Sequence, residues 1–152
     1  MAMMPPSSLD KHVDFLEEAD TESEVWETKQ SSGCSAFEYR SDTVAISLVG
    51  VSTSYDLQTS GATCWFGGRN LADHLLRCYG STDNEKTQTV ELGCGLGLAG
   101  LALAKKTRCR LVLTDGDEST LARAKENAAR NLVSCECKQL LFGDSAAADR
   151  MT

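Results

Sequence analysis

Two carboxylates and three closely spaced glycines are the residues whose types and spacing most clearly suit chemistry. Val90-Glu91-Leu92-Gly93-Cys94-Gly95-Leu96-Gly97 leads from one apolar stretch into another, and Asp115 follows Gly97 by 18 residues. Glycines between a strand and a helix let the backbone turn tightly and approach a ligand with no Cβ in the way. In an open parallel sheet, that turn faces the crevice at the strand ends where ligands bind. A carboxylate at the end of the next strand can accept hydrogen bonds from both hydroxyls of a ribose. Thr114-Asp115-Gly116-Asp117 is also turn chemistry in its own right, which gives Asp115 a plain structural alternative.

Two cofactor classes use this layout. Gly95-x-Gly97-x-x-Gly100 satisfies the dinucleotide fingerprint, with Asp115 near the expected spacing. Glu91 separates the two. A pyrophosphate loop has no use for a carboxylate at its mouth, where two negative charges would meet. S-adenosylmethionine carries an ammonium and a sulfonium and does have a use for one. A carboxylate at a buried strand end needs a partner, and that cofactor would supply it.

The elements that must position these residues read as alternating strands and helices from Thr87 onward. Thr89 to Leu92 is a short strand, Leu98 to Lys105 a compact apolar helix, and Arg110 to Thr114 a second strand. Asp117 is placed to cap the next helix, with Glu118 in its first turn. Leu121, Ala124, Ala128 and Leu132 form the expected buried stripe of that helix. Val133 to Phe142 is a third strand, apolar on one face and polar on the other, as near a sheet edge. A βαβαβ order implies a parallel sheet. Upstream, Ala36 to Val51 predicts two strands about a turn at Ser41-Asp42, with Phe37 and Tyr39 in one alternating set and Val44, Ile46 and Leu48 in the other. Leu71, Leu75, Cys78 and Tyr79 recur at helical spacing, and Gly80 ends that helix. Residues 1–34 read as an extension: Met1 to Ser8 disordered, Leu9 to Ala19 a short helix, and Glu17 to Glu27 a solvated acidic loop or face. Residues 35–152 read as one domain.

Composition narrows the function. The 152 residues suit a single core, and 22 acidic against 15 basic side chains leave a formal charge of −7. That balance opposes nucleic acid as the main partner, because phosphate binding relies on clustered Lys and Arg. No run approaches the roughly 20 apolar residues of a membrane span, and the N-terminus does not read as a secretory signal. The seven cysteines include no C-x-x-C pair, so no metal site is expected. Cys135-x-Cys137 is read as two small side chains on one strand face rather than as ligands. Reduced thiols imply a cytoplasmic setting, with the nucleus as the alternative.

Glu-Leu-Gly-Cys-Gly-Leu-Gly-Leu-Ala-Gly-Leu-Ala (Glu91 to Ala102), Leu-Thr-Asp-Gly (Leu113 to Gly116), and Asn127 with Asn131 resemble the seven-β-strand, class I S-adenosylmethionine-dependent methyltransferases. Within them the chain is most similar to the family-16 group, mainly protein-lysine methyltransferases. Asp56, Gly61, Trp65 and Gly67-Gly68-Arg69-Asn70-Leu71-Ala72 resemble that group's leading helix. Leu140-Leu141-Phe142-Gly143-Asp144 resembles its third-strand ending, with Phe142 where Trp is usual, which keeps an aromatic face and loses the indole donor.

The resemblance implies an α/β, Rossmann-like fold and S-adenosylmethionine as cofactor. Glu91, Gly93, Gly95 and Gly97 would hold its methionine end and Asp115 its ribose. Trp65 and Phe142 would line the pocket, and Asp144 would contact adenine. Trp65 as a core residue and Asp144 as a turn former are the plain alternatives. The implied reaction is direct displacement, an amine attacking the methyl carbon in line with sulfur, on a lysine of a protein substrate. The chain stops just after the third strand, so an incomplete domain is expected, lacking the strands that carry substrate contacts. No catalytic residue is assigned. An unpaired edge on the first strand would favour self-association. Two other readings stand beside this one: a non-catalytic relative acting as a binding module, and an NAD-dependent oxidoreductase fragment, which Glu91 and the Trp65 segment oppose.

Overall fold

A computed structural model describes residues 24–29 (backbone only), 34–51, 61–81 and 85–143. The expected disorder of Met1 to Ser8, the helix at Leu9 to Ala19, the polar segment from Ser52 and the Asp144 site lie outside the described residues.

The parallel half follows the expected order. Strands β4 (Gln88–Leu92), β5 (Arg110–Asp115) and β6 (Cys135–Gln139) form a sheet in the order β4-β5-β6, alternating with helices α2 (Leu98–Thr107) and α3 (Glu118–Arg130). Both ladders are parallel, with Val90 beside Val112 and Leu113 beside Cys137. β5 is central, so Leu111, Val112, Leu113 and Thr114 are buried without alternation. Nearly every residue of α2 is buried because it packs against β3, β4, β5 and α1 at once. Asp117 caps α3 as expected, its Oδ1 accepting from the Thr120 amide at 2.7 Å. Among the described residues β4 pairs on one side only, leaving Val90 and Leu92 exposed. No helix among the described residues is long and apolar enough to cross a membrane.

The α3 stripe ends one step earlier than its spacing predicts. Thr120, Leu121, Ala124, Asn127 and Ala128 are buried, whereas Leu132 is 94% exposed. Leu132 has φ 58°, its amide donates to the Ala129 carbonyl, and the Val133 amide donates to that of Ala128. That is a Schellman ending with leucine in the left-handed position usually held by glycine, and it swings the side chain into solvent. β6 is likewise shorter than the expected third strand. Its Cys135 and Cys137 lie side by side, Sγ to Sγ 3.9 Å, packed against the core.

A second sheet precedes this unit. β1 (Glu24–Lys29), β2 (Cys34–Arg40) and β3 (Ala45–Val51) are antiparallel in that order. Phe37, Tyr39, Val44, Ile46 and Leu48 are buried, as their alternation predicts. β1 is a correction: part of the expected acidic loop, inside the expected extension, is a strand paired with β2 from Glu24 opposite Arg40 to Lys29 opposite Ser35. Its structure comes from a partner strand, which local acidity does not report.

Two asparagines join the sheets. Asn131 Oδ1 accepts from the Ser47 amide (2.9 Å) and its Nδ2 donates to the Ser47 carbonyl (2.6 Å). Asn127 does the same to Val49, at 2.8 and 3.2 Å. Four residues along a helix advance about 6 Å and two along a strand about 6.7 Å, so one helix face matches one strand edge. The α3 amides thus pair with the outer edge of β3 in place of a further strand.

Helix α1 (Phe66–Tyr79) forms where expected, its Gly80 cap donating to Leu76. Its buried face differs: Ala72 is buried, with Leu75 and Leu76 partly so, while Leu71, Cys78 and Tyr79 are exposed. The helix packs on α2, and the Tyr39 hydroxyl donates to Asp73 Oδ1 at 2.7 Å to hold it against β2.

Candidate cofactor site

The turn between β4 and α2 takes the shape that its glycines permit. Gly93, Gly95 and Gly97 have φ of 63°, 54° and 83°, a region closed to most side chains. The Cys94 amide donates to the Thr114 carbonyl (2.8 Å) and the Gly97 amide to that of Cys94 (2.8 Å), coiling the loop over the ends of β4 and β5. Thr114 Oγ1 donates to the Glu91 carbonyl (2.8 Å), fastening the two strand ends. Sequence reasoning gave Thr114 no such role, and a lone hydroxyl at the end of an apolar run was the signal available.

A cavity of about 440 Å³ opens between α1, the end of β4 and this loop. Trp65, Glu91, Gly93 and Gly95 line it, as do Cys64 and Leu75, which the sequence did not mark as site residues. Trp65 is the N-cap residue of α1 and 59% exposed, so the core alternative for it falls. Gly97 is placed differently: it is buried at the start of α2 against Leu101 and Leu113, and it shapes the loop without lining the cavity. Asp115 and Phe142 lie against the loop without lining the cavity. Phe142 is 79% exposed, and its ring lies 3.9 Å from where a Gly93 Cβ would point, with nothing else among the described residues within 4 Å. The backbone at Gly93 is therefore open to a ligand.

Asp115 is tied into the loop. Its Oδ2 accepts from the Gly95 amide and its Oδ1 from the Asp117 amide, both at 3.1 Å. The turn alternative and a ligand role coexist, because each carboxylate oxygen keeps a second lone pair.

Glu91 has a partner that the sequence did not reveal. Its Oε2 accepts from the Gly100 amide at 2.9 Å, at the N-terminal turn of α2. Burial nevertheless pushes the carboxyl from about 4.5 up to about 7, with the Gly100 bond pulling the other way. The native state thus holds a proton that the unfolded chain gives up above pH 4.5 or so. The stabilisation is complete below the ordinary value and is lost as pH rises through 7. Glu91→Gln, which keeps an acceptor for Gly100, is expected to melt higher than wild type at pH 8 and at the same temperature near pH 4.5. Thermal melts at the two pH values check this.

These features fit S-adenosylmethionine: at the cavity wall a half-buried carboxylate with no cationic partner among the described residues, and a left-handed glycine loop whose Gly93 Cβ position is free of them but for the Phe142 ring. Fold and site together are those of the Rossmann-like, class I methyltransferase fold, a class whose cofactor is S-adenosylmethionine. The family model for lysine methyltransferases matches residues 51–149, and the chain belongs to that family. Among solved structures it is similar to the tRNA (uracil-54, C5)-methyltransferase of Pyrococcus abyssi in complex with S-adenosyl-L-homocysteine, with 19% identity and a TM-score of 0.45. That likeness covers 68% of this chain and 24% of the other, so the chain spans about a quarter of that protein's length. No curated protein matches it.

Proposed function

We propose that this chain forms the cofactor-binding part of a methyltransferase that modifies lysine side chains of a protein substrate. The observation that carries the reading is Glu91, a carboxylate held at the cavity wall beside the glycine loop. It would repel a pyrophosphate and attract an ammonium. The family to which the chain belongs supports lysine as acceptor, and the net negative charge suits a basic protein segment.

In this reading Glu91 pairs with the ammonium of the methionine end, and the Gly93 and Gly95 backbone lies against it. Asp115 accepts from the ribose hydroxyls, and Phe142 and Trp65 shield the two flanks of the loop. Asp144 remains the proposed adenine contact. What the cofactor supplies when bound is an electrophilic methyl group. The chain's own contribution is to orient the ligand and to keep water from the cavity wall.

Calorimetric titration with S-adenosylhomocysteine, with NAD as control, tests the reading. Binding of the first alone is the expected result. Affinity is also expected to rise about tenfold from pH 6 to pH 8, because the ammonium binds the ionised form of a carboxyl whose value lies near 7. Binding of NAD instead would overturn the cofactor assignment. A folded chain that binds neither would favour a second reading, a non-catalytic association module. Among the described residues β4 pairs on one side only, with Val90 and Leu92 exposed beside it, and that supports this second reading.

A further inference from the structure

We infer that Asn127 is a positioning residue for the glycine loop, acting through the Leu96 carbonyl, so that the antiparallel sheet and the cofactor site are built as one unit. The inference rests on the reading of this loop as the cofactor site. Asn127 is 1% exposed and lies on α3, away from the cavity wall. Its Nδ2 donates to two carbonyls at 3.2 Å each, Val49 on β3 and Leu96 in the loop, while its Oδ1 accepts from the Val49 amide. Both amide hydrogens are thereby used, and one side chain links strand, helix and loop.

The loop needs such an anchor. Glycine loses more backbone freedom than any other residue when fixed, and Leu96 stands between two glycines with positive φ. Amides of the loop are held by Thr114, Asp115 and Cys94, and Asn127 holds it from the carbonyl side. Packing reinforces the same line. A Cβ on Gly50 of β3 would fall 2.7 Å from Leu96 Cδ1, and one on Gly95 would fall 3.1 Å from the Gly61 carbonyl. The strand edge and the segment after it therefore press directly on the loop, and β3 contributes to a site that it does not line.

Asn131 is the internal control. It makes the same paired bonds to β3 one turn later, yet its remaining bond goes to the Asn127 carbonyl and not to the loop. Asn127→Ala and Asn131→Ala each remove one strand-edge amide, and similar losses of denaturant midpoint are expected. S-adenosylhomocysteine affinity, measured by calorimetry on the folded full chain, is expected to fall about tenfold further in Asn127→Ala. Amide hydrogen exchange at Cys94 and Gly97 is expected to quicken in that variant alone. Equal affinities and equal exchange in the two variants would overturn the proposal. Asn127→Ser, which keeps one hydroxyl donor, carries the comparison if Asn127→Ala does not fold. A wild-type chain that binds no S-adenosylhomocysteine would sink the cofactor reading instead, and the exchange comparison would still decide the positioning role.

Discussion

Asp115→Ala is expected to weaken S-adenosylhomocysteine binding by about 100-fold or more, the largest effect of any single change at the site. A hydrogen bond to an ionised group contributes about 1.5–3 kcal/mol, so losing two to the ribose corresponds to a factor of roughly 10² to 10⁴. The change also frees the Gly95 and Asp117 amides, which the two carboxylate oxygens accept at 3.1 Å. Gly95 has positive φ and its amide donates to that carboxylate, so the loop would lose a direct tether along with the proposed ligand contact. Asp115→Asn is expected to recover little, because its amide nitrogen must face one of two backbone donors. Calorimetry gives the affinity, and a thermal melt of the same preparations separates it from unfolding. Full affinity in a folded Asp115→Ala chain would show that the carboxylate serves the turn alone.

The site was legible in the sequence to the extent that its residues are neighbours along the chain. Glu91 to Gly97 and Asp115 belong to one βαβ unit, so spacing alone brings them to one end of the sheet. The partner of Glu91 was hidden because Gly100 reads as one more small helical residue, and its amide matters only once β4 lies against α2. The same distinction runs through the fold. β5 and α3 follow from local periodicity, whereas β1 is made by pairing with β2 and its acidic sequence suggested solvent. Leu132 kept the helical spacing of its stripe but fell at a Schellman ending, where backbone hydrogen bonds override the apolar pattern. Leu71 and Tyr79 kept the period of α1 too, yet the side that carries Ala72 is the buried one and theirs stays exposed. Asn127 and Asn131 were visible as a pair one turn apart; that they meet the edge of β3 is a fact of tertiary packing.

Gly100→Ala sets helix propensity against packing, and packing is expected to win. In an open helix the change would stabilise by about 1 kcal/mol, because alanine loses less backbone freedom. Here a Cβ at position 100 would run into Glu91 Oε2 and lie 2.9 Å from Leu111 Cδ1 and 3.2 Å from Leu113 Cδ2. Overfilling a packed interior costs about 1–3 kcal/mol, and displacing the carboxyl from the Gly100 amide forfeits a hydrogen bond of about 1 kcal/mol. A net loss of about 2 kcal/mol follows, read as a drop in denaturant midpoint. The displacement also has a signature of its own. Pushed toward the open cavity, the Glu91 carboxyl regains solvent and returns toward its ordinary range, so the pH dependence of stability between 4.5 and 7 should shrink in the variant. Combining Gly100→Ala with Glu91→Ala removes the atom in the way, and the cost of the alanine at 100 is expected to fall by half or more in that double-mutant cycle. An unchanged cost would place the clash on Leu111 and Leu113. It would then leave the Glu91–Gly100 contact as a consequence of the packing of α2 on the sheet and not as its determinant.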